Sequence, residues 1–352
     1  MTLLYAFGSN GNGQLGVDHV EDVSVPQRCV GIPETESLVK VMGGGNHAAA
    51  LTKTGRIYVT GDIVQSTAFY IPTWLQGHSW IDVACGWSFT LVVSDQGRVY
   101  GFGTARSGEL GTQSPSNKKD KNNLTSTTEL VAIDLDTKII SVACGWRHAI
   151  ALDEHGQVYG WGWNRHGQIG QPISRKPYIQ EPQRLQFISR EQEQCPRIKQ
   201  IACGHTFSML RAEDGTLYGL GSNKYGQLDI TENVKSQPTT RRISTGWHHV
   251  AASIAMNDSS SFQLYAWGRN DHAQTAPFLD PVDQFVCGSE HMLVAHNNKI
   301  YAWGWNEHGN CTSDKESVLE PLEITELLPK GNIVLLGAGC ATSWIAIDTF
   351  IV

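Results

Sequence analysis

Four histidines stand at one offset from a recurring glycine. His47, His148, His249 and His291 follow Gly44, Gly145, Gly246 and Gly288 by three residues each. Histidines in register raise two chemistries first, metal ligation and general acid–base catalysis. A metal needs its ligands within about 2 Å of one point, and successive repeats hold equivalent side chains apart. No serine or cysteine accompanies each histidine as a repeated nucleophile. The expected role is structural, a half-buried imidazole bonded to backbone within its own repeat. His308 and Cys311 have a metal-like H-x-x-C spacing, but no second pair stands nearby, so a structural or partner contact is expected. Gly11, Gly13 and Gly16 match G-x-G-x-x-G, yet VDHVEDVSVPQ after them has no helical stripe and offers no helix N-terminus to a phosphate. Carboxylates such as Glu290 and Glu307 form no pair whose separation the sequence fixes. No enzymatic constellation, cofactor or metal is therefore expected.

The elements around these residues repeat. YGWGWNRHGQIG at Tyr159 is echoed by blocks starting at Tyr5, Tyr100, Tyr218, Tyr265 and Tyr301, and by a worn copy at Tyr58. A second block, such as ACGWRHAIAL, also occurs seven times, with key glycines Gly44, Gly86, Gly145, Gly204, Gly246, Gly288 and Gly339. Four of these glycines lie 14 residues before the next block's tyrosine, with a short apolar run and a Gly-containing turn between. That is a β-hairpin, and flanking runs such as KIISVAC and TELVAI complete four antiparallel strands, A to D. The fold class expected is all-β, a seven-bladed β-propeller over 1–352 as one domain. The chain begins with a C strand and ends with an A–B pair, so the N-terminal C–D strands would close the ring with the C-terminal A–B strands. The glycines are read as positions of positive φ or close backbone approach. The main insertions, 113–128, 171–181 and 312–320, follow the aromatic block, the first being polar and expected to be mobile, and linkers such as Ser189–Arg197 vary.

Tryptophan is the sharpest signal. Trp161, Trp267 and Trp303 share a strand-C position with Phe7 and Phe102 and are expected to pack between blades. Trp87, Trp146 and Trp247 lie in A–B turns, and Trp163 and Trp305 in C–D turns. Both turn types emerge on one face of an antiparallel meander. That face would also carry His166, His205, His248, His308 and Tyr225, while the opposite turns (TKTG, SDQG, DEHG, AEDG) are plainly polar. Two readings stay open. The rings face a protein partner, or they fold down as lids over the strand ends. On the first, the partner-binding residues are Trp87, Trp146, Trp163, His166, His205, Trp247, His248, Trp305 and His308.

Bulk composition narrows the class. Charged residues make up only 17% of 352, against 36 glycines and 11 tryptophans, which argues for a folded, strand-rich chain. A net charge of -7 disfavours non-specific attraction to nucleic acid or anionic membranes. MTLLYAFGSN reads as no signal peptide and no apolar run spans a bilayer, so a cytoplasmic location, with the nucleus as a second one, is expected. The sequons at Asn123 and Asn310 then read as chance matches. Cys85, Cys144, Cys203 and Cys287 each precede a key glycine, and equivalent points of neighbouring repeats are poorly placed for disulfides. They are expected as small buried thiols.

The blocks C-G-W-x-H-x-x-x-L and V-Y-x-W-G-x-N-x-x-G-Q-L-G resemble the regulator of chromosome condensation repeat family across essentially the whole chain. The resemblance implies a seven-bladed propeller. YAFGSNGNGQLG, YAWGWNEHGNC and GAGCATSWIAI are similar to the fungal alpha-tubulin suppressor (killer-toxin-insensitivity) branch. That likeness implies a non-enzymatic partner of a small metal-binding CSL zinc-finger protein, the electron carrier of diphthamide biosynthesis on elongation factor two. It also implies an indirect role in Elongator-dependent modification of wobble uridines in tRNA. The family's founding activity, guanine-nucleotide exchange on a Ran-type GTPase, is the alternative.

Overall fold

A strand covered on both faces needs no polar side. The residues after each key glycine fit that rule: all six of His148–Asp153 are buried, as are all six of His47–Thr52 and of Phe89–Ser94. Each such B strand lies between an A strand and a C strand. In the Gly145 repeat the order A–B–C–D is Ile139–Cys144, His148–Asp153, Val158–Trp163 and Tyr178–Arg184. The B–C turn there is held by Asp153, whose Oδ1 accepts the N–H groups of His155 and Gln157 at 2.9 and 2.8 Å.

The computed structural model describes residues 1–112, 125–170, 177–185, 196–230, 234, 240–255 and 261–349. Among the described residues, apart from two short 3₁₀ turns and the single helical residue Val234, the regular elements are strands. Residues 113–124 of the insertion 113–128, residues 171–176 of the insertion 171–181 and residues 189–195 of the linker Ser189–Arg197 lie outside the described residues, as does Asn123. Among the described residues six sheets form, one of eight strands and the others of three or four. The eight-stranded sheet is two four-stranded units joined by one parallel pair, Ala338 with Met42. In one of those units Thr2–Gly8 pairs antiparallel with Thr342–Thr349, in register from Thr2↔Asp348 to Gly8↔Thr342.

The repeats are tied at the A–B turns by a belt of backbone hydrogen bonds. Gly45 N–H donates to Trp87 O (2.9 Å), Trp87 to Trp146 O (3.3 Å), Trp146 to His205 O (3.2 Å) and His205 to Trp247 O (3.0 Å). Trp247 donates to Ser289 O (2.7 Å), Ser289 to Gly339 O (2.9 Å) and Cys340 back to Gly44 O (3.4 Å). Along the A strands, register slips by one residue near the start of six A–B pairs, as between Ile139 and Ser141. The bulged residue turns outward, which explains why Val39, Ile81, Ile140 and Val334 are exposed. Just past the bulge, Asp82 accepts from Lys40 Nζ (2.7 Å), Ser141 Oγ (2.7 Å) and Val142 N–H (2.9 Å), joining three A strands.

The strand-C aromatics Phe7, Phe102, Trp161, Trp267 and Trp303 are buried, as read from the sequence. Trp161 Nε1 donates to Glu109 O (2.8 Å) and Trp267 Nε1 to Gln227 O (3.0 Å), each reaching the preceding repeat's turn. The key glycines serve close approach: a Cβ on Gly145 would lie 2.1 Å from Cε1 of His148. The glycine ending strand C serves positive φ, as at Gly162 (+90°).

Two expectations need correction. The histidines in register are fully buried rather than half-buried, and three of the four bond to side chains of the next repeat, not to backbone of their own. Nε2 of His47 meets Thr90 Oγ1 (2.8 Å), that of His148 meets Ser208 Oγ (3.1 Å) and that of His291 meets Ser343 Oγ (2.9 Å). The reason is that the ring packs over the key glycine and points past it into the neighbouring sheet. Four strands per repeat also fails once. In the Gly246 repeat, residues 269–283 are described and carry no strand D. Pro277 and Pro281 interrupt that segment, and Phe278 instead stacks on Trp303 (6.1 Å, 3°). The corresponding segment of the Gly204 repeat lies mostly outside the described residues.

Candidate partner-binding face

The two turn types share one end of each sheet because backbone ties them. The first C–D turn residue donates to the A–B turn: Trp163 N–H to Arg147 O (2.7 Å), Arg269 to His248 O (2.9 Å), Trp305 to Glu290 O (2.9 Å) and Ser9 to Ala341 O (2.8 Å). Inside the turn, Asn164 Oδ1 accepts Ile169 N–H (3.2 Å) and Gln168 Oε1 accepts His166 N–H (3.0 Å). Asn223 and Gln227 repeat the pair in the next turn at 2.7 and 2.9 Å. The recurring Asn and Gln are thus scaffolding, and they leave Arg165 and His166 exposed between them. In the first turn the same scaffold holds Gly13 and Gly16, through Asn10 and Gln14.

Seven of the nine proposed contact residues form one continuous patch. Trp146 stacks on His205 (4.6 Å, 13°) and meets Trp163 edge-on (5.5 Å), which in turn meets His166 (5.4 Å). His205 touches Trp247 (5.3 Å) and His248 (5.4 Å), and Trp87 reaches Trp247 (5.8 Å) across two intervening repeats. Tyr225 joins through His248 (4.9 Å). Most of these rings are half-buried, while Trp87 is 38% exposed. Trp305 and His308 are not part of the patch. They form a pair of their own (5.6 Å), and His308 Nδ1 bonds Asp22 Oδ2 at 2.7 Å. Cys311 is buried with Sγ toward Trp305 O (3.7 Å), so the H-x-x-C pair does not converge. Asn310 is buried as well, its Nδ2 donating to Trp305 O (2.6 Å).

Sequence reading passed over a polar network at the edge of the patch. Buried Glu290 receives His248 Nδ1 at 2.6 Å, Arg269 Nη1 at 3.3 Å and Gln274 Nε2 at 2.7 Å. Burial pushes its carboxyl up, but the His248 bond, charge coupling to the His249 and His248 imidazoles and the Gln274 bond together outweigh this and hold it below the usual range. His205 is pushed down to about 4, mainly by burial and next by His248, so it stands neutral in the stack. Arg147 lies over Trp146 (4.2 Å) and Arg269 over Tyr225 (5.3 Å). Aligning the repeats on the key glycine puts Arg147, His248 and Glu290 at one position, two residues past it.

A family model described as an RCC1-like domain matches residues 3–345. The chain belongs to the RCC1-like domain family. An RCC1 repeat-containing protein, C10F6.04, of Schizosaccharomyces pombe is 29% identical over 98% of this chain and 99% of that one. A mouse secretion-regulating guanine nucleotide exchange factor is 28% identical over 97% of this chain and 82% of its own length. The crystal structure of Prp20p from Saccharomyces cerevisiae covers 99% of this chain and 92% of that one, with a TM-score of 0.80 at 19% identity.

In this RCC1-like fold the belt rings a central cavity of roughly 90 Å³, lined by the key glycines and by Cys85, Cys144, Cys203, Cys287 and Cys340. These thiols are free. Burial pushes Cys85, Cys203, Cys287 and Cys340 up to about 12, so they are protonated and poor nucleophiles at neutral pH.

Proposed function

We propose that this chain is a non-enzymatic, protein-binding adaptor, and that the aromatic patch around Trp146 is its docking surface. One observation carries the reading: Trp87, Trp146, Trp163, His205 and Trp247 touch one another at the turn end of the sheets while remaining partly open to solvent. Large aromatics held rigid at low entropic cost are what hot spots are made of. The scaffold we infer is a closed seven-bladed ring, supported by the A–B belt that returns to its start and by the Thr2–Gly8 pairing with Thr342–Thr349. The partner we assign, from the resemblance of the chain's ends, is the small CSL zinc-finger protein. Through it the chain would serve diphthamide formation on elongation factor two and, indirectly, Elongator-dependent tRNA modification, in the cytoplasm and the nucleus.

The test is calorimetric titration with the purified CSL protein. A saturable one-to-one complex is expected, and W146A/W163A should weaken it by about 2–4 kcal/mol at little cost in melting temperature. No complex at micromolar concentration overturns the partner. If the double variant instead unfolds with unchanged affinity per folded molecule, these indoles are lids. A second reading, nucleotide exchange on a Ran-type GTPase, draws support from the mouse relative's name. Accelerated release of labelled GDP from such a GTPase would favour it.

A further inference from the structure

The third residue after the strand-C glycine is Arg106, Arg165 and Lys224 in three successive repeats, then Asp271 and Glu307 in the next two. All five are exposed at the same turn position. Among the described residues, no carboxylate lies within ion-pair distance of Arg106, Arg165 or Lys224. Asp271, by contrast, is neutralised by Arg269 Nε at 2.8 Å. Beyond it, Glu307 stands with Asp22, Asp314 and Glu316 around an open hollow that also holds Lys315 and His308, the latter bonded to Asp22, so carboxylates outnumber cations there. The face is therefore polarised, with a cationic sector on one side of the ring of turns and an anionic one on the other. Most of the aromatic patch lies on the cationic side: Trp87 belongs to the Arg106 repeat, Trp146 and Trp163 to the Arg165 repeat, and His205 and Tyr225 to the Lys224 repeat, while Trp247 and His248 come from the adjoining repeat whose Asp271 is neutralised; Arg147 and Lys224 cover Trp146 and Tyr225 at 4.2 and 5.0 Å.

We propose that the occupant of this sector is an acidic protein segment. Its carboxylates would meet Arg106, Arg165 and Lys224, and an apolar side chain among them would rest on Trp146 and Trp247. The inference builds on the protein-docking reading above. It adds the chemistry of the partner and its orientation on the ring, because rim charges steer encounter and exclude rotated poses. A nucleic acid fits less well. Its evenly spaced phosphates would run off three cations onto the anionic sector of a chain whose net charge is already -7. A folded segment with a few carboxylates can keep them within the cationic sector.

The experiment uses the full chain and follows its tryptophan fluorescence. Three probes are titrated at low and high salt: a 12-residue peptide of Asp and Glu interspersed with Leu and Phe, the same peptide with Lys for each acid, and a single-stranded RNA of 20 nucleotides. The acidic peptide should bind at least about tenfold more tightly than its Lys counterpart at low salt, with the gap narrowing at high salt. R106E/R165E/K224E should abolish or invert that preference, while Glu307→Lys leaves it in place. Equal binding of the two peptides, tighter binding of the RNA, or no saturable binding of the acidic peptide overturns the proposal. W146A/W163A separates the two claims. If it weakens both peptides while the charge reversals change nothing, the docking face stands and the acidic occupant falls. If neither variant weakens binding, both fall.

Discussion

At the position three residues past the key glycine, chemistry follows the neighbour. His47, His148 and His291 face Thr90, Ser208 and Ser343 of the next repeat, whereas Phe89 and Phe207 stand where the next repeat offers Ala149 and Val250. His249 breaks the rule. The next repeat presents Met292, and among the described residues neither ring nitrogen of His249 has a partner at hydrogen-bonding distance and angle. Two outcomes follow in urea unfolding. His249→Phe should be neutral or stabilising, because it removes an unsatisfied buried polar group. His148→Phe should cost about 1 kcal/mol, because Ser208 Oγ loses the His148 bond and keeps only its bond to Gln168 O and its contact with Cys203 Sγ. Burial lowers His47 and His249 to about 4, and His148 and His291 to about 3, from an ordinary 6.5. The unfolded chain therefore binds more protons than the fold below pH 6.5. Their contribution is fully present above that value and is lost as pH falls toward 4 and then 3. The urea midpoint should drop steadily from pH 7 to pH 5. An unchanged midpoint would mean that these rings reach solvent.

At the scale of elements, the A strands are joined by side chains as well as backbone. Asp82→Ala removes acceptors for Lys40, Ser141 and Val142 at once and should cost about 3 kcal/mol in urea unfolding, while Asp82→Asn, which keeps one carbonyl oxygen, should cost less. Partner affinity should be unchanged in both, since Asp82 is buried in an A strand away from the aromatic turns. Trp161→Ala should behave alike. A fully buried indole that bonds Glu109 O is worth about 3–5 kcal/mol to the fold. W146A/W163A should show the opposite pattern, and that contrast separates packing tryptophans from docking ones.

For the whole molecule, the pairing of the two chain ends makes stability a property of both. Residues 2–8 cover a strand that holds buried Trp344, Ile345, Ala346 and Ile347. Deleting 339–352 should leave Phe7 and Leu4 without a neighbour and lower the melting temperature of the entire array in one transition. Loss of a single repeat, with the rest melting as before, would show that the ends are not structurally coupled.

What the sequence alone determined was everything local. Turn chemistry and short-range periodicity mark the hairpins, the strand-C aromatics and the polar turns opposite the aromatic ones, because each depends on residues within a dozen positions. The tertiary structure decided what lies between repeats. It placed the histidines against hydroxyls some 40 to 60 residues away, brought Trp87 to Trp247, set Trp305 and His308 apart with Asp22, and replaced one outer strand by a proline-broken segment. A repeat motif specifies its own sheet, but the rotation that brings one sheet against another selects the contact partners, and the spacing of a single repeat does not contain that rotation.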